Sequence, residues 1–402
     1  MNDTDSVLTA TVNFAIDYQS SLGNHTDIYH AQTVNFWRDI IPESIQKQIA
    51  RADLEKPARI EMRPGEVLPL YDPKNHFEVK RDQFNSQGTN GRPVRPYSGR
   101  FYPLGRLKGV AGIFPQNIQP FRCLNTSDRS IEAELNHPLS NATVQLEANV
   151  LEKNVKRDER GGTCIDWMEM ITSGSGMQMR VNGTPTAFFN EDPFRRKDEN
   201  PDRDFYQRPR FVQHIDSKAD EIITGLYGRL LKPGMQVLDL MTSWVSHIPV
   251  DLDLAAIHGL GMNRAELNAN ERLTSATIHD LNQNPHLPYD KDHFDAVLCT
   301  VSIEYLTQPF RIFKEVARVL KPGGVFVTTF SNRWFPPKAI NLWGQIHEFE
   351  RMGLVMEYFA ESGAYTDLST LSVRGFPRPY EDKYFPQLRY ADPVYAVWGT
   401  KK

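Results

Sequence analysis

A chain of 402 residues exceeds the roughly 100–200 residues of one ordinary domain, so the length asks for two cores. A net charge of −4, with no Lys/Arg stripe at helical spacing, excludes the electrostatic footprint of a nucleic-acid binder. Three cysteines (Cys123, Cys164, Cys299) without CxxC spacing exclude a disulfide framework and a zinc site, and no leader or window of ~18 unbroken apolar residues is seen, so a cytoplasmic chain with no metal and no membrane partner is expected.

From residue 8 to about 155, short alternating segments such as "ATVNFAIDY", "HFEVKRDQF" and "ATVQLEANVLE" are punctuated by Gly, Pro and Asn, which predicts a β-rich domain over 1–157. One amphipathic helix is expected near 36–49, with Pro42 at a first turn or a break. The charged, proline-bearing stretch "NEDPFRRKDENPDRDFYQRPR" has too little apolar content to build a core, and 158–205 is read as a connector.

Beyond it, over 206–402, the pattern changes to alternating helix and strand. "FVQHIDSKADEIITGLYGRLL" places Val212, Ile215, Ala219, Ile223, Leu226 and Leu230 on one helical face. The runs "QVLDLM", "LAAIHGLGM", "SATIHDL", "FDAVLCTV" and "GVFVTTFS" are apolar throughout, as strands of a parallel sheet covered on both faces must be. Ligands on such sheets bind outside the carboxyl ends of the strands, which here carry Asp239, "GLGMN", Asp280 and "CTVSIEY".

The order "VLDL…GLGMN…HDLN…LPYDKDHFDAVLCTVSIEYL…ARVLKPGGVFVTTFS" resembles the class I S-adenosylmethionine-dependent methyltransferases of the small-molecule, type 11-like branch. The resemblance implies an α/β Rossmann-like sheet and S-adenosylmethionine as cofactor. It implies that Asp239 helps hold the methionine ammonium, that Asp280 with Leu281 meets the adenine, and that Thr300 passes near the methionine portion. The segment bearing Tyr206, Arg210 and His214 matches a lid over the cofactor, with Arg210 and His214 spaced one helical turn apart. Two departures stand out: "MTSWVSH" replaces a Gly-x-Gly loop, leaving Thr242 and Ser243 as hydroxyl donors, and Gly261 replaces the acidic ribose reader, leaving Asn263 as the nearest polar candidate.

For the transfer itself, His247 is the leading general base, because imidazole titrates near neutrality. Tyr305 and Glu304 are the other candidates. Trp244, Ser246 and Trp334 are read as facing the acceptor, against the alternatives of core packing for the two Trp residues and a helix cap for His247. The strand-end loops carry Met241, Trp244, Met262, Cys299, Tyr305 and Trp334 but little fixed charge, which suits a small, rather apolar acceptor such as a small thiol; a resemblance of the two-domain layout to thiol methyltransferases implies methanethiol or sulfide.

In the first half, "GEVLPLYDPKNHFEVKRDQF" and "PFRCLNTSDRSIEAELNHPLSNATVQLEANVLE" resemble FKBP-type peptidyl-prolyl isomerases of the SlyD kind, with an inserted flap at about 88–135. The resemblance implies a proline pocket lined by Tyr18, Asp27 and Tyr71, and a surface for homo-oligomerisation. Two readings follow: a methyltransferase supported by an FKBP-like domain, or an isomerase or chaperone carrying a non-catalytic methyltransferase-like scaffold.

Overall fold

The computed structural model describes residues 9–52, 54, 56–88, 93–155 and 161–402. The expected boundary at 157/158 and the first eight residues, where no leader was expected, lie outside the described residues.

The first half is β-rich, as expected. β1 (Thr9–Gln19) and β2 (Gly23–Asn35) form a long antiparallel hairpin, and β1 buries Val12, Phe14, Ile16 and Tyr18 with the period of two that a half-buried strand requires. The helix α1 (Glu43–Arg51) starts only after Pro42, and Ile40, expected on its face, is exposed. Proline tolerates the start of a helix but not its interior. β3 (Ala58–Met62), β4 (His76–Lys80), β5 (Phe101–Pro103), β6 (Pro120–Thr126), β7 (Ser130–Glu134) and β8 (Val144–Asn154) follow. Four of them form a separate antiparallel sheet in the order β4-β7-β6-β5, with its own cluster around Tyr102, Phe121 and Ile131.

The described part of the connector, 161–205, packs against both halves at several points. α2 (Trp167–Thr172) buries Trp167 and Ile171 against the first half, and Met177 and Phe188 enter the core of the second. Its charged part is tied down by Arg196 to Asp202 at 2.8 Å and by the fully buried Lys338, 3.2 Å from the same carboxylate, just as α3 (Asp202–Tyr206) begins.

α4 (Ser217–Leu230) is shorter than the apolar spacing predicts. The Asp216 carboxylate accepts from the Ala219 N–H at 2.9 Å and caps the helix there, so Val212 stands exposed in the preceding loop. β9 (Gln236–Leu240), β10 (Ala256–Gly261), α5 (Arg264–Ala269), β11 (Ser275–Ile278), β12 (Phe294–Thr300), α6 (Pro309–Val319), β13 (Leu320–Phe330), α7 (Glu348–Ser362), β14 (Tyr365–Arg374) and β15 (Val394–Lys401) complete the chain. Five parallel strands lie in the order β11-β10-β9-β12-β13, and the order reverses between β9 and β12, the place where a doubly wound sheet opens a crevice.

The two halves share one sheet. β14 pairs in parallel with β2, from Leu368 opposite Gly23 to Arg374 opposite Tyr29, giving the eleven-stranded order β11-β10-β9-β12-β13-β15-β14-β2-β1-β8-β3. Each half nevertheless keeps its own apolar cluster, one around Phe14, Ile16 and Ile45, the other around Leu240, Phe313 and Trp343. Buried ion pairs close the seam on α7: Arg100 to Glu350 at 3.1 Å and Arg180 to Glu357 at 2.6 Å.

Candidate functional site

A cavity of about 880 Å³ opens at the carboxyl ends of β9, β10, β11 and β12, within the roughly 300–1,000 Å³ typical of small-molecule sites. It gathers residues from every strand end read from the sequence, together with the lid segment.

At the end of β9, Asp239 is 3% exposed, and its Oδ2 accepts from Thr242 Oγ1 at 2.6 Å and Ser246 Oγ at 2.5 Å. Burial raises its pKa, with the two hydroxyls and His247 opposing. Ser246 is thus buried behind the carboxylate, where it also accepts from Asn270 Nδ2, and does not reach the acceptor side of the cavity as expected. The next residue, Met241, has φ +59°, the left-handed conformation that glycine adopts freely.

The two departures from the methyltransferase pattern are one structural event. After Met241 the loop folds down, with Thr242 N donating to the Leu260 carbonyl at 2.9 Å. The Thr242 carbonyl then occupies the space beside Gly261, where an added Cβ would lie 2.3 Å from it. The loop dispenses with glycines because β10 supplies one, and the same close approach excludes an acidic side chain at 261.

Asn263 is fully employed elsewhere. Its Oδ1 caps α5 by accepting from the N–H groups of Ala265 and Glu266, and its Nδ2 donates to the carbonyls of Tyr206 and Gln207 at 2.9 and 3.0 Å. It fastens the lid rather than offering the free polar group expected for a ribose. The carboxylate lining the cavity at this edge is Glu266, which the sequence reading missed; it accepts from Ser243 Oγ at 2.6 Å and from the Arg210 N–H at 2.7 Å. Its signal was its position three residues after Asn263, on the same face of α5.

His247 lines the cavity with its side chain 11% exposed, and its Nδ1 makes a short contact with the Asp220 carboxylate of α4. With Nδ1–H donated to Asp220, Nε2 is left as an acceptor, the tautomer following from the hydrogen bond. This replaces the helix-cap alternative; Asp220 was not foreseen. Trp244 lines the cavity, donates from Nε1 to the Val212 carbonyl at 3.3 Å and meets Phe211 edge-on.

Tyr206, Arg210 and His214 also line the cavity, but the last two sit in irregular chain rather than one helical turn apart, because α4 begins only after them. The Arg210 guanidinium lies 4.5 Å from the Phe205 ring and 5.5 Å from Phe335, and His214 meets Phe335 edge-on. Burial raises the Tyr206 phenol and lowers His214.

On the far edge, one Asp280 oxygen accepts from the N–H groups of Asn282 and Gln283, leaving the other unengaged by these bonds, and Leu281 is buried beside it. Thr300 Oγ1 hydrogen-bonds the Tyr227 hydroxyl at 2.6 Å. The Tyr305 hydroxyl accepts from Phe335 N at 2.9 Å, and burial raises its pKa well above the ordinary range. Glu304 is 1% exposed and does not line the cavity, contrary to the expectation that it faces the methyl group; burial pushes its pKa up to about 8. Trp334 lines the cavity with the Arg351 guanidinium 4.4 Å from its ring.

The cavity wall is not charge-poor. Residues 375–393, between β14 and β15, carried no motif, yet Lys383, Tyr384, Leu388, Arg389 and Tyr390 line the cavity. Arg378 and Arg333 lie there as well, neutralised by Asp216, Asp382 and Asp392 at 2.6–3.3 Å.

No open proline pocket is formed by Tyr18, Asp27 and Tyr71. The Tyr18 hydroxyl donates to Asp27 at 2.6 Å and accepts from Gly176 N and Gln178 Nε2, while Ser372 of β14 donates to Asp27 at 2.7 Å. The chain's own residues fill the space, and Tyr71 is partnered elsewhere, by Glu134 of β7.

Residues 236–328 match the family described as Methyltransferase domain. Over 135 residues the chain is 30% identical to "Ubiquinone/menaquinone biosynthesis C-methyltransferase UbiE" of Bartonella quintana, covering 33% of this chain and 48% of the relative. Over 99 residues it is 35% identical to "Demethylmenaquinone methyltransferase" of Deinococcus radiodurans, covering 23% and 38%. The chain spans about half the length of the curated relatives it matches. Among solved structures, a possible histamine N-methyltransferase from Thermotoga maritima is similar at 17% identity and a TM-score of 0.33, over 46% of this chain and 92% of that one.

Proposed function

We propose, from the premise that residues 236–328 form a class I methyltransferase domain whose cofactor is S-adenosylmethionine, that this chain transfers a methyl group to a small protic acceptor. The observation that carries this reading is the single cavity joining the ends of β9 to β12 to His247 and its Asp220 partner.

The residues fit the cofactor. Asp280 keeps one carboxylate oxygen for an amino group, Glu266 supplies a carboxylate at the edge of β10, and Gly261 clears the wall between them. S-adenosylmethionine supplies a methyl group already activated on sulfonium. The protein's share is therefore alignment, exclusion of water and acceptance of a proton. Nε2 of His247 takes the acceptor's proton, and Asp220 stabilises the resulting imidazolium. Trp244, Trp334 and the 206–214 lid wall the site from solvent.

The acceptor we infer is an acidic carbon or phenolic molecule with an apolar body. A cavity this large is poorly filled by methanethiol or sulfide, whereas its aromatic wall and the cations Lys383 and Arg389 suit a ring that becomes anionic. The names of two relatives, each called a ubiquinone/menaquinone biosynthesis C-methyltransferase, lean the same way. The isomerase reading draws no support from the covered Tyr18–Asp27 pair.

Calorimetric titration with S-adenosylmethionine, followed by a panel of phenols, 1,3-dicarbonyls, thiols and amines scored for S-adenosylhomocysteine release, tests the reading. Binding heat and release with a phenol or carbon acid are expected; absence of any binding heat would end the methyltransferase reading.

A further inference from the structure

Residues 375–393 form a lip over the cavity whose seat is built by the other half of the molecule. Its two arms pair at the root: Pro377 bridges Tyr390, Arg378 N donates to the Arg389 carbonyl at 3.1 Å, and Ala391 N donates to that of Phe376 at 2.8 Å. On one side the root is held by the second half at Asp216, whose carboxylate accepts from Arg378 at 3.3 Å and from the Asp392 N–H at 2.6 Å.

On the other side stands β2. Gly375 leaves β14 with φ +88°, so close to β2 that a Cβ there would lie 2.5 Å from the His30 carbonyl and 2.8 Å from the Tyr29 ring. Phe376 then stacks on His30, ring centroids 4.2 Å apart and planes within 11°. The Tyr29 phenol lies beside that of Tyr390, which lines the cavity, and burial together with this neighbour pushes the Tyr29 pKa up to about 12. Other polar contacts across the seam, among them Arg100–Glu350, Arg180–Glu357, His25–Thr370 and Asp27–Ser372, end on α7 or β14 at residues that do not line the cavity.

We propose that Tyr29 and His30 are positioning residues for the acceptor: β2 sets the seat of the lip, and the first half thereby takes part in acceptor recognition. The proposal rests on the methyltransferase reading for its consequence and on the packing of Phe376 and Tyr390 for its cause. Its logic is that the cofactor side of the cavity is built wholly from β9–β12, α5 and the lid, whereas the wall bearing Lys383, Tyr384 and Arg389 is fixed at its root from both halves.

The test compares His30→Ala, His30→Phe and Tyr29→Phe in the full chain, with hydroquinone as probe acceptor. For His30→Ala, the acceptor KM is expected to rise about tenfold, the shift one stacked aromatic contact can supply. kcat should stay within about twofold of wild type, and S-adenosylmethionine affinity and Tm should hold. His30→Phe, which keeps the stack, should restore KM. Backbone hydrogen exchange supplies a second readout independent of turnover: amides of 376–391 should exchange faster in His30→Ala while 236–247 stay protected. Unchanged exchange in the lip overturns the proposal whatever acceptor is used, as does faster exchange with an unmoved KM. Failure of the wild-type chain to bind S-adenosylmethionine would instead overturn the methyltransferase reading, leaving the exchange result to decide the seating of the lip.

Discussion

At the level of single side chains, the loop after β9 shows a glycine exchanged between neighbours. Met241 holds the left-handed turn at a cost of about 1–2 kcal/mol, and Gly261 yields the room that the lowered loop needs. Restoring the missing acid should therefore harm the site. Gly261→Asp is expected to weaken S-adenosylmethionine binding at least tenfold by calorimetry, and adding Met241→Gly, which lets the loop retreat, should recover part of the loss in a double-mutant cycle. A gain in affinity from Gly261→Asp alone would refute the coupling. For His247, the Asn variant should keep cofactor affinity while slowing turnover on a protic acceptor by ~10²–10⁴-fold. Asp220→Asn, which removes the orienting carboxylate, should fall between that variant and the wild type. An unchanged rate in single-turnover assays would remove His247 from the mechanism. Asp239, Asp280 and His247 were legible because they close apolar runs or follow one directly. Glu266 and Asp220 were not, since each acts through a partner distant in sequence: Arg210 for the first, His247 for the second.

Among the elements, α5 is short and its cap serves two ends. Asn263→Asp keeps an oxygen for the helix N–H groups but loses the amide donors to Tyr206 and Gln207. The variant should melt within a few degrees of wild type yet bind S-adenosylmethionine about tenfold more weakly, because the lid is released. Equal affinity would mean that the lid is held by other contacts. The parallel strands β9–β13 were readable from their unbroken apolar runs, since a strand buried on both faces has no polar side to show. The helix before β9 was read too long because apolar spacing continues through Val212 and Ile215, while Asp216 diverts the backbone into a cap. The lip escaped notice altogether: an irregular, exposed excursion has no period, and its importance comes from what it faces.

For the molecule as a whole, length asked for two cores, whereas the chain builds one continuous sheet, and no local pattern announces that β2 and β14, some 345 positions apart, lie side by side. Register between distant strands is set by tertiary packing, and here it is fixed by small hydroxyls: Thr370 meets His25 at 2.8 Å and Ser372 meets Asp27. The seam also depends on the paired charges at α7. Removing one partner of such a pair costs ~3–5 kcal/mol, because the other is left uncompensated away from water. Glu357→Ala, which strands the Arg180 guanidinium, should lower Tm markedly in scanning calorimetry and melt both halves together. Two separated transitions, with the second half unmoved, would mean that the halves are energetically independent despite their common sheet.

The parallel pairing of β2 with β14 also bears on how the polypeptide is made. A ribosome delivers Gly23–Asn35 long before Tyr365–Arg374. Until the later strand emerges, the earlier one shows an unpaired row of backbone donors and acceptors, an invitation to foreign strands. While the residues between these two strands are being made, the nascent chain therefore carries an open flank that the later strand closes.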